Sequence, residues 1–194
     1  MDIKTLLSNI HQTTETFNVS GISLNSNTLS KGDLFIALQG EKSHGADYID
    51  SAIENGCVAV LIEGKDFECG VPTIRIDNLK THLSKLAQNF YTKAKDIDLI
   101  AVTGTNGKTS VSHYISQLLD FLEVDNGVIG TLGISKVDKK SVNTTPDIFS
   151  IYSSLEEYWN QGIKLAIIEA SSHALIQDRL EGLSFIQGIF TNLT

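Results

Sequence analysis

The residues best suited to chemistry stand in one run, Ala101-Val102-Thr103-Gly104-Thr105-Asn106-Gly107-Lys108-Thr109-Ser110. A buried-strand pattern over residues 97–102 enters the run and a helical pattern leaves it. A strand feeding a glycine-rich turn and then a helix N-terminus makes an anion site from backbone N–H groups. Lys108 adds a mobile positive charge for β- and γ-phosphates, and the Thr109 hydroxyl is placed to ligate Mg²⁺. The usual GxxxxGK[ST] spacing would need its first glycine at Val102; here the order is Gly104-x-x-Gly107-Lys108-Thr109. The alternative is a glycine turn with a surface lysine, against which the flanking strand and helix argue.

Three further groups have chemical potential and an ordinary explanation beside it. Glu169 closes the apolar run Leu165-Ala166-Ile167-Ile168. Beside a phosphate loop such an acid is a magnesium ligand or water-orienting group; it would equally cap the next helix together with Ser171, Ser172 and His173. No G-x-S-x-G elbow surrounds these serines, which argues against a hydrolase triad. Asn143-Thr144-Thr145-Pro146-Asp147 is either a helix N-cap with its proline or a clamp for an anionic, sugar-like substrate. In the first half, Leu24-Asn25-Ser26-Asn27 and Gly40-Glu41-Lys42-Ser43-His44-Gly45 flank one strand. These two polar loops either face a common ligand or are plain turns. His113 reads as a half-buried helix residue, not a catalytic one.

The elements that must position these groups alternate along the chain. The first half reads as a small α/β unit with helices over residues 3–10, 46–55 and 79–90 and strands over 21–24, 34–38, 58–62 and 73–76. A polar stretch, 91–96, places a domain boundary near Thr92. Beyond it, strands at 97–102, 127–130, 165–168 and 186–190 alternate with helices at 109–122 and 148–161, and 133–142 reads as a loop or hairpin. Such alternation implies a parallel sheet of about four strands, with ligands at the carboxyl ends of its strands. In the helix after the phosphate loop, Val111, Tyr114, Ile115, Leu118, Leu119 and Leu122 recur at helical spacing, predicting one apolar face laid on that sheet. A sheet this small, ending on a strand at Phe190, reads as interrupted.

Composition narrows the function classes. At 194 residues the chain allows one or two domains with a sizeable core. A formal net charge of −8 argues against a nucleic-acid groove and assigns any bound phosphate to local N–H groups and Lys108. Cys57 and Cys69 have no metal spacing and suit a reducing compartment. The opening Met1-Asp2-Ile3-Lys4 has no apolar leader, and no run approaches membrane-spanning length. A soluble cytoplasmic protein is expected.

Taken together, these segments resemble the Mur ligases of peptidoglycan synthesis. The resemblance rests on T-G-T-N-G-K-T-S (103–110), N-T-T-P (143–146), E-A-S-S-H-A-L (169–175), Gln177-x-Arg179 and F-T-N-L (190–193), in that order. The short phosphate loop is also similar to that of folylpolyglutamate synthases. The other motifs are closest to the member that adds a third residue to UDP-N-acetylmuramoyl-L-alanyl-D-glutamate. The resemblance implies a UDP-binding α/β domain at 1–92 and, at 93–194, the first part of a phosphate-loop parallel-sheet ATPase domain. It further implies that this chain is an N-terminal fragment, without turnover by itself. Gly104, Thr105, Asn106, Gly107, Lys108, Thr109 and Ser110 would cradle ATP, and Thr109 with Glu169 would hold Mg²⁺. Lys108 and Glu169 would be the catalytic groups. Leu24, Ser26, Glu41, Lys42 and Ser43 would contact the uridine diphosphate end, and Asn143, Thr144, Thr145, Ser171, Gln177 and Arg179 the muramoyl-peptide. Many relatives have Asp-Ser-Arg where Asn25-Ser26-Asn27 stands, so a guanidinium contact at Asn27 is lost while the Ser26 contact is kept. The expected partners are that nucleotide-sugar peptide and an amino acid, meso-diaminopimelate or L-lysine, acting on a monomer. A nucleotide-dependent binding module or switch remains the competing class.

Overall fold

The computed structural model describes residues 1–40, 43–64, 67–137 and 143–194. The chain divides into two units, Met1–Phe90 and Tyr91–Thr194.

In the first unit, helix α1 (Ile3–Leu6) is started by Asp2, whose carboxylate accepts from the Thr5 N–H at 3.0 Å. The expected helix over 3–10 ends early, in turns. Strands β1 (Ile22–Ser23), β2 (Leu34–Ala37), β3 (Ala59–Glu63) and β4 (Thr73–Ile76) form a parallel sheet in that order. The runs Leu34-Phe35-Ile36-Ala37 and Ala59-Val60-Leu61-Ile62 are buried throughout, as a parallel sheet covered on both faces requires. Phe35, Ala37, Val60 and Ile62 pack with Ile49 and Ala52 of helix α2 (Ile49–Glu54) and with Cys57. The helical stretch begins as a tight turn at Gly45–Tyr48, capped by the His44 ring. Gly45 lies so close to β2 that a Cβ would stand 2.6 Å from Ala37 Cα, so no other residue fits there. Helix α3 (Leu83–Phe90) closes the unit and buries Leu86 and Ala87.

The second unit runs β5 (Asp98–Thr103), α4 (Lys108–Phe121), β6 (Asn126–Gly130), β7 (Gly133–Ile134), α5 (Ile148–Asn160), β8 (Leu165–Glu169), α6 (Ser172–Ile176) and β9 (Phe185–Phe190). Its sheet has the order β7-β6-β8-β5-β9, parallel except for β7, which turns back on β6 as a short hairpin. Thus five strands stand where four were expected. Helix α5 buries Ile151, Tyr152, Leu155 and Tyr158. The Tyr158 ring fills the place a Gly127 side chain would take, and its hydroxyl donates to the Ser135 carbonyl at 2.8 Å. Burial pushes that phenol up to about 12.

The single apolar face predicted for α4 needs correction. Val111, Ile115 and Leu119 do pack on Val102, Val128 and Ile167. Tyr114, Leu118 and Leu122 do not: they are 64%, 63% and 66% exposed. Six residues spaced three and four apart span more arc than one sheet contact covers, so periodicity alone overstated the buried stripe.

Burial, with the Cys69 charge as a lesser cause, raises the Cys57 thiol from 9.0 to about 11. Its neutral form therefore adds stability below pH 9, lost as pH rises through 11. In the native chain at pH 8, Cys57 should resist iodoacetamide and become reactive only in denaturant; peptide mapping showing rapid native alkylation would contradict this burial.

Candidate functional site

Strand pairing brings the two chemical segments together. β5 and β8 are neighbours in parallel register, with Val102 opposite Glu169. The acid therefore lies level with the residue two positions before Gly104, at the carboxyl ends of the strands.

The loop itself has two faces, marked by its two glycines. Gly104 has φ +133°, and a Cβ there would collide with Thr191 Oγ1 and stand 2.8 Å from the Asn192 carbonyl oxygen. Gly107 has φ +83°, and a Cβ there would meet nothing within 4 Å. Gly107 thus faces open space, and the N-terminus of α4 begins beside it. Val111 N–H bonds to Gly107 O at 2.9 Å and closes the first turn. By helix geometry the N–H groups of Lys108, Thr109 and Ser110 have no acceptor within the helix and point out of its N-terminus. They form a positive end fitted to an anion. Lys108 arches back over the loop, its Nζ donating to Gly104 O at 2.7 Å and Thr105 O at 3.3 Å. Phosphate oxygens would be stronger, charge-assisted acceptors for the same ammonium.

Glu169 is fully buried. Its Oε2 accepts from Thr109 Oγ1 and from Thr131 Oγ1, both at 2.9 Å, and its Oε1 accepts from Thr131 N–H at 3.1 Å. Gly130 makes this possible, because a Cβ there would overlap the Glu169 carboxylate. Gly130 and Thr131 were not singled out from the sequence. Their signal is visible only once β6 is known to lie beside β8: a glycine then a hydroxyl residue at the end of the strand next to the acid.

The remaining second-unit candidates gather around Thr145. Buried Thr145 donates through Oγ1 to the Glu169 carbonyl at 2.5 Å and accepts the Ser171 N–H at 3.1 Å. Arg179 Nη1 donates to Thr145 O at 2.5 Å, and its other nitrogens bond Gln177 Oε1 at 2.6 and 3.0 Å. Thr144 Oγ1 lies 3.2 Å from Thr131 Oγ1, which links it to the acid, and Asn143 is exposed at the start of the segment. Local capping holds for Asp147 at α5 and for Ser171, whose Oγ accepts from Ala174 N–H at the start of α6. The expected cap by Glu169 is corrected, because its carboxylate is taken up by Thr109 and Thr131.

In the first unit, Leu24, Ser26 and Ser43 line one cavity of about 400 Å³ together with Phe35, Tyr48 and Lys80. Glu41 and Lys42 lie outside the described residues. Glu63, at the end of β3, ties its walls: Oε2 accepts from Gln39 N–H and Oε1 from Lys80 N–H, each at 3.1 Å. His44 Nδ1 accepts from Ala46 N–H at 2.9 Å, so its Nε2, 3.1 Å from Glu63 O, is the donor there.

A parallel α/β unit with a short phosphate loop and a buried acid on the adjacent strand defines a nucleotide-binding class of protein. Two family models refine this. Residues 18–91 match the Mur ligase family catalytic domain and residues 102–194 the Mur ligase middle domain. The chain belongs to the Mur ligase family. It is 35% identical over 207 aligned residues to a UDP-N-acetylmuramoyl-L-alanyl-D-glutamate–2,6-diaminopimelate ligase of Clostridium acetobutylicum, covering all of this chain and 43% of the relative. It is 38% identical to the ligase of that name from Wigglesworthia glossinidia brevipalpis, covering 91% of this chain and 38% of the relative. A solved structure of a ligase with the same name superposes with a TM-score of 0.77 at 28% identity, over all of this chain and 40% of that one. The MurF ligase of Thermotoga maritima, solved with ADP, gives 0.53 at 25% identity over 78% of this chain and 32% of its own. The chain thus spans about two fifths of the length of these relatives.

Gly130→Ala should force Glu169 off its donors and destabilise the second unit by about 1–3 kcal/mol, as overpacking does. A urea midpoint equal to that of the parent chain would contradict the packing of Gly130 against the acid.

Proposed function

We propose that this chain forms the substrate-anchoring and phosphate-loop part of an ATP-dependent amide-forming ligase. The reaction adds the third amino acid to UDP-N-acetylmuramoyl-L-alanyl-D-glutamate in cytoplasmic peptidoglycan precursor synthesis. The observation that carries it is the meeting of Thr109 Oγ1 and buried Glu169 at 2.9 Å beside the N-terminus of α4. The names of the relatives favour 2,6-diaminopimelate over L-lysine as the incoming amino acid. On this reading the first unit, about residues 1–92, takes the UDP group, and 93–194 is the front of the ATP-binding domain. Among the described residues no helix is long and apolar enough to cross a membrane. We take the enzyme to act as a monomer.

A carboxylate is a poor electrophile, so its oxygen first attacks the γ-phosphorus of ATP, ADP leaves, and an acyl phosphate results. The incoming amine then attacks the acyl carbon, loses a proton and expels phosphate. The first step must bring two anions together. Lys108 and the first-turn N–H groups of α4 offset that repulsion and stabilise the charge of the transferring phosphoryl group. Mg²⁺, when bound, would supply Lewis-acid neutralisation of the phosphates. The donor set suits it: Mg²⁺ is held by one or two protein oxygens and completed by phosphate and water. Thr109 and Glu169 are such a pair, and no cluster of three or more His, Cys, Asp or Glu is present among the described residues. Thr144, Thr145, Ser171, Gln177 and Arg179 are the candidate contacts to the muramoyl-peptide, with Asn143 at their edge. Leu24, Ser26 and Ser43 line the candidate uridine cavity.

In the full-length protein, Lys108→Ala should lower kcat/KM by about 10²–10³, the scale for removing a transition-state charge donor. Near-parental turnover would remove Lys108 from its role. A thermal-shift comparison of UDP, UDP-N-acetylmuramoyl-dipeptide, ATP and GTP on this 194-residue chain separates the classes. Stabilisation by the UDP ligands and ATP is expected, with no tripeptide product. Selective stabilisation by GTP would instead indicate a nucleotide switch.

A further inference from the structure

The phosphate loop is bonded on one side to the segment that follows β9, and this bonding is selective. Pairing of β5 with β9 runs past the strand ends, with Thr191 N–H donating to Thr103 O at 2.9 Å. Thr105 N–H then donates to Asn192 O at 2.9 Å. The Asn192 side chain takes both backbone groups of Asn106: Oδ1 accepts its N–H and Nδ2 donates to its carbonyl, each at 3.0 Å. Thr191 Oγ1 adds a donor to the same carbonyl at 2.6 Å. The fork requires one donor and one acceptor on a short planar group, which asparagine has and aspartate lacks.

We propose that Asn192 is a positioning residue of the phosphate loop, fixing Thr105 and Asn106 so that the anion is met by the first turn of α4 and Lys108. The inference rests on the nucleotide-binding reading of this site. Gly104 and Gly107 bound a two-residue segment with high backbone freedom. Without the Asn192 side chain, Asn106 N–H would lose its acceptor and the Asn106 carbonyl would keep Thr191 Oγ1, while Thr105 N–H would stay on the Asn192 main-chain carbonyl. With it, the N–H groups of Thr105 and Asn106 are already engaged, and the open side of the loop is the Gly107 side. Phosphoryl transfer is sensitive to displacement on the ångström scale, so a residue that touches no phosphate controls where the phosphate rests.

The test uses the full-length protein with Asn192→Asp and Asn192→Ala. Asn192→Asp keeps an acceptor for Asn106 N–H but places a second oxygen against Asn106 O. The expected result is an ADP affinity weakened about tenfold in equilibrium titration and a comparable rise in the ATP KM. The KM for the UDP-linked substrate and the melting temperature should stay near parental values. Parental ADP affinity in either folded variant overturns the proposal. So does an equal loss for both substrates, or failure of both variants to fold, since each assigns Asn192 to general stability. A parent protein that binds ADP but makes no amide would refute the ligase reading while ADP affinity still judges Asn192. A parent that binds no nucleotide overturns both.

Discussion

The structure of the second unit depends on a carboxylate with no exposure to water. Removing an ion of that size from water costs several kcal/mol unless hydrogen bonds replace its hydration. Glu169 obtains them from Thr109 and Thr131. Each donor fixes a different element: Thr109 the start of α4, Thr131 the end of β6. The sheet order β6-β8-β5 places the acid between the two strands that deliver them. Gly130 is the geometric price, since any side chain there would occupy the space of the carboxylate. Moving the acid one residue along β8 would point it to the opposite face of the sheet. Fold and site are therefore one constraint seen twice.

The division of labour within the loop follows from the same geometry. A chain of net charge −8 offers no broad positive field for a triphosphate. Attraction must come from short-range groups whose direction is set in advance. Helix α4 supplies its first-turn N–H groups on the side where Gly107 leaves open space, while Gly104 is pressed against Thr191 and Asn192. One glycine is needed because something is close, the other because a positive φ must be reached with space kept clear.

Much of this was legible in the sequence because strong local signals agreed. The strand at β4 and the strand–loop–helix run of β5 and α4 follow from hydrophobic period and glycine placement. The pairing of Thr109 with Glu169 needed the sheet order, which periodicity does not encode. Thr131 and Gly130 were missed for that reason: they matter only as neighbours of β8. The exposed residues of α4, Tyr114 and Leu118, misled because spacing reports a face but not its width. Asn192 was readable as part of a motif, yet its contact with Asn106 joins residues 86 apart.

Both units place an acid at the carboxyl end of a buried parallel strand, Glu63 on β3 and Glu169 on β8, and both acids gather neighbouring loops. Their donors differ in kind. Glu63 receives backbone N–H groups from Gln39 and Lys80, which can only donate. Its carboxylate is therefore a fixed staple for the walls of its cavity. Glu169 receives hydroxyls on Oε2, from Thr109 and Thr131. A hydroxyl carries lone pairs as well as a proton and rotates to suit its partner. On the proposed reading, Thr109 would turn its proton away from Glu169 and offer oxygen, so that the two side chains would together hold a cation. The hydroxyls that make burial of Glu169 tolerable would thus be compatible with the proposed cation, whereas a backbone N–H in the place of Thr109 could only donate.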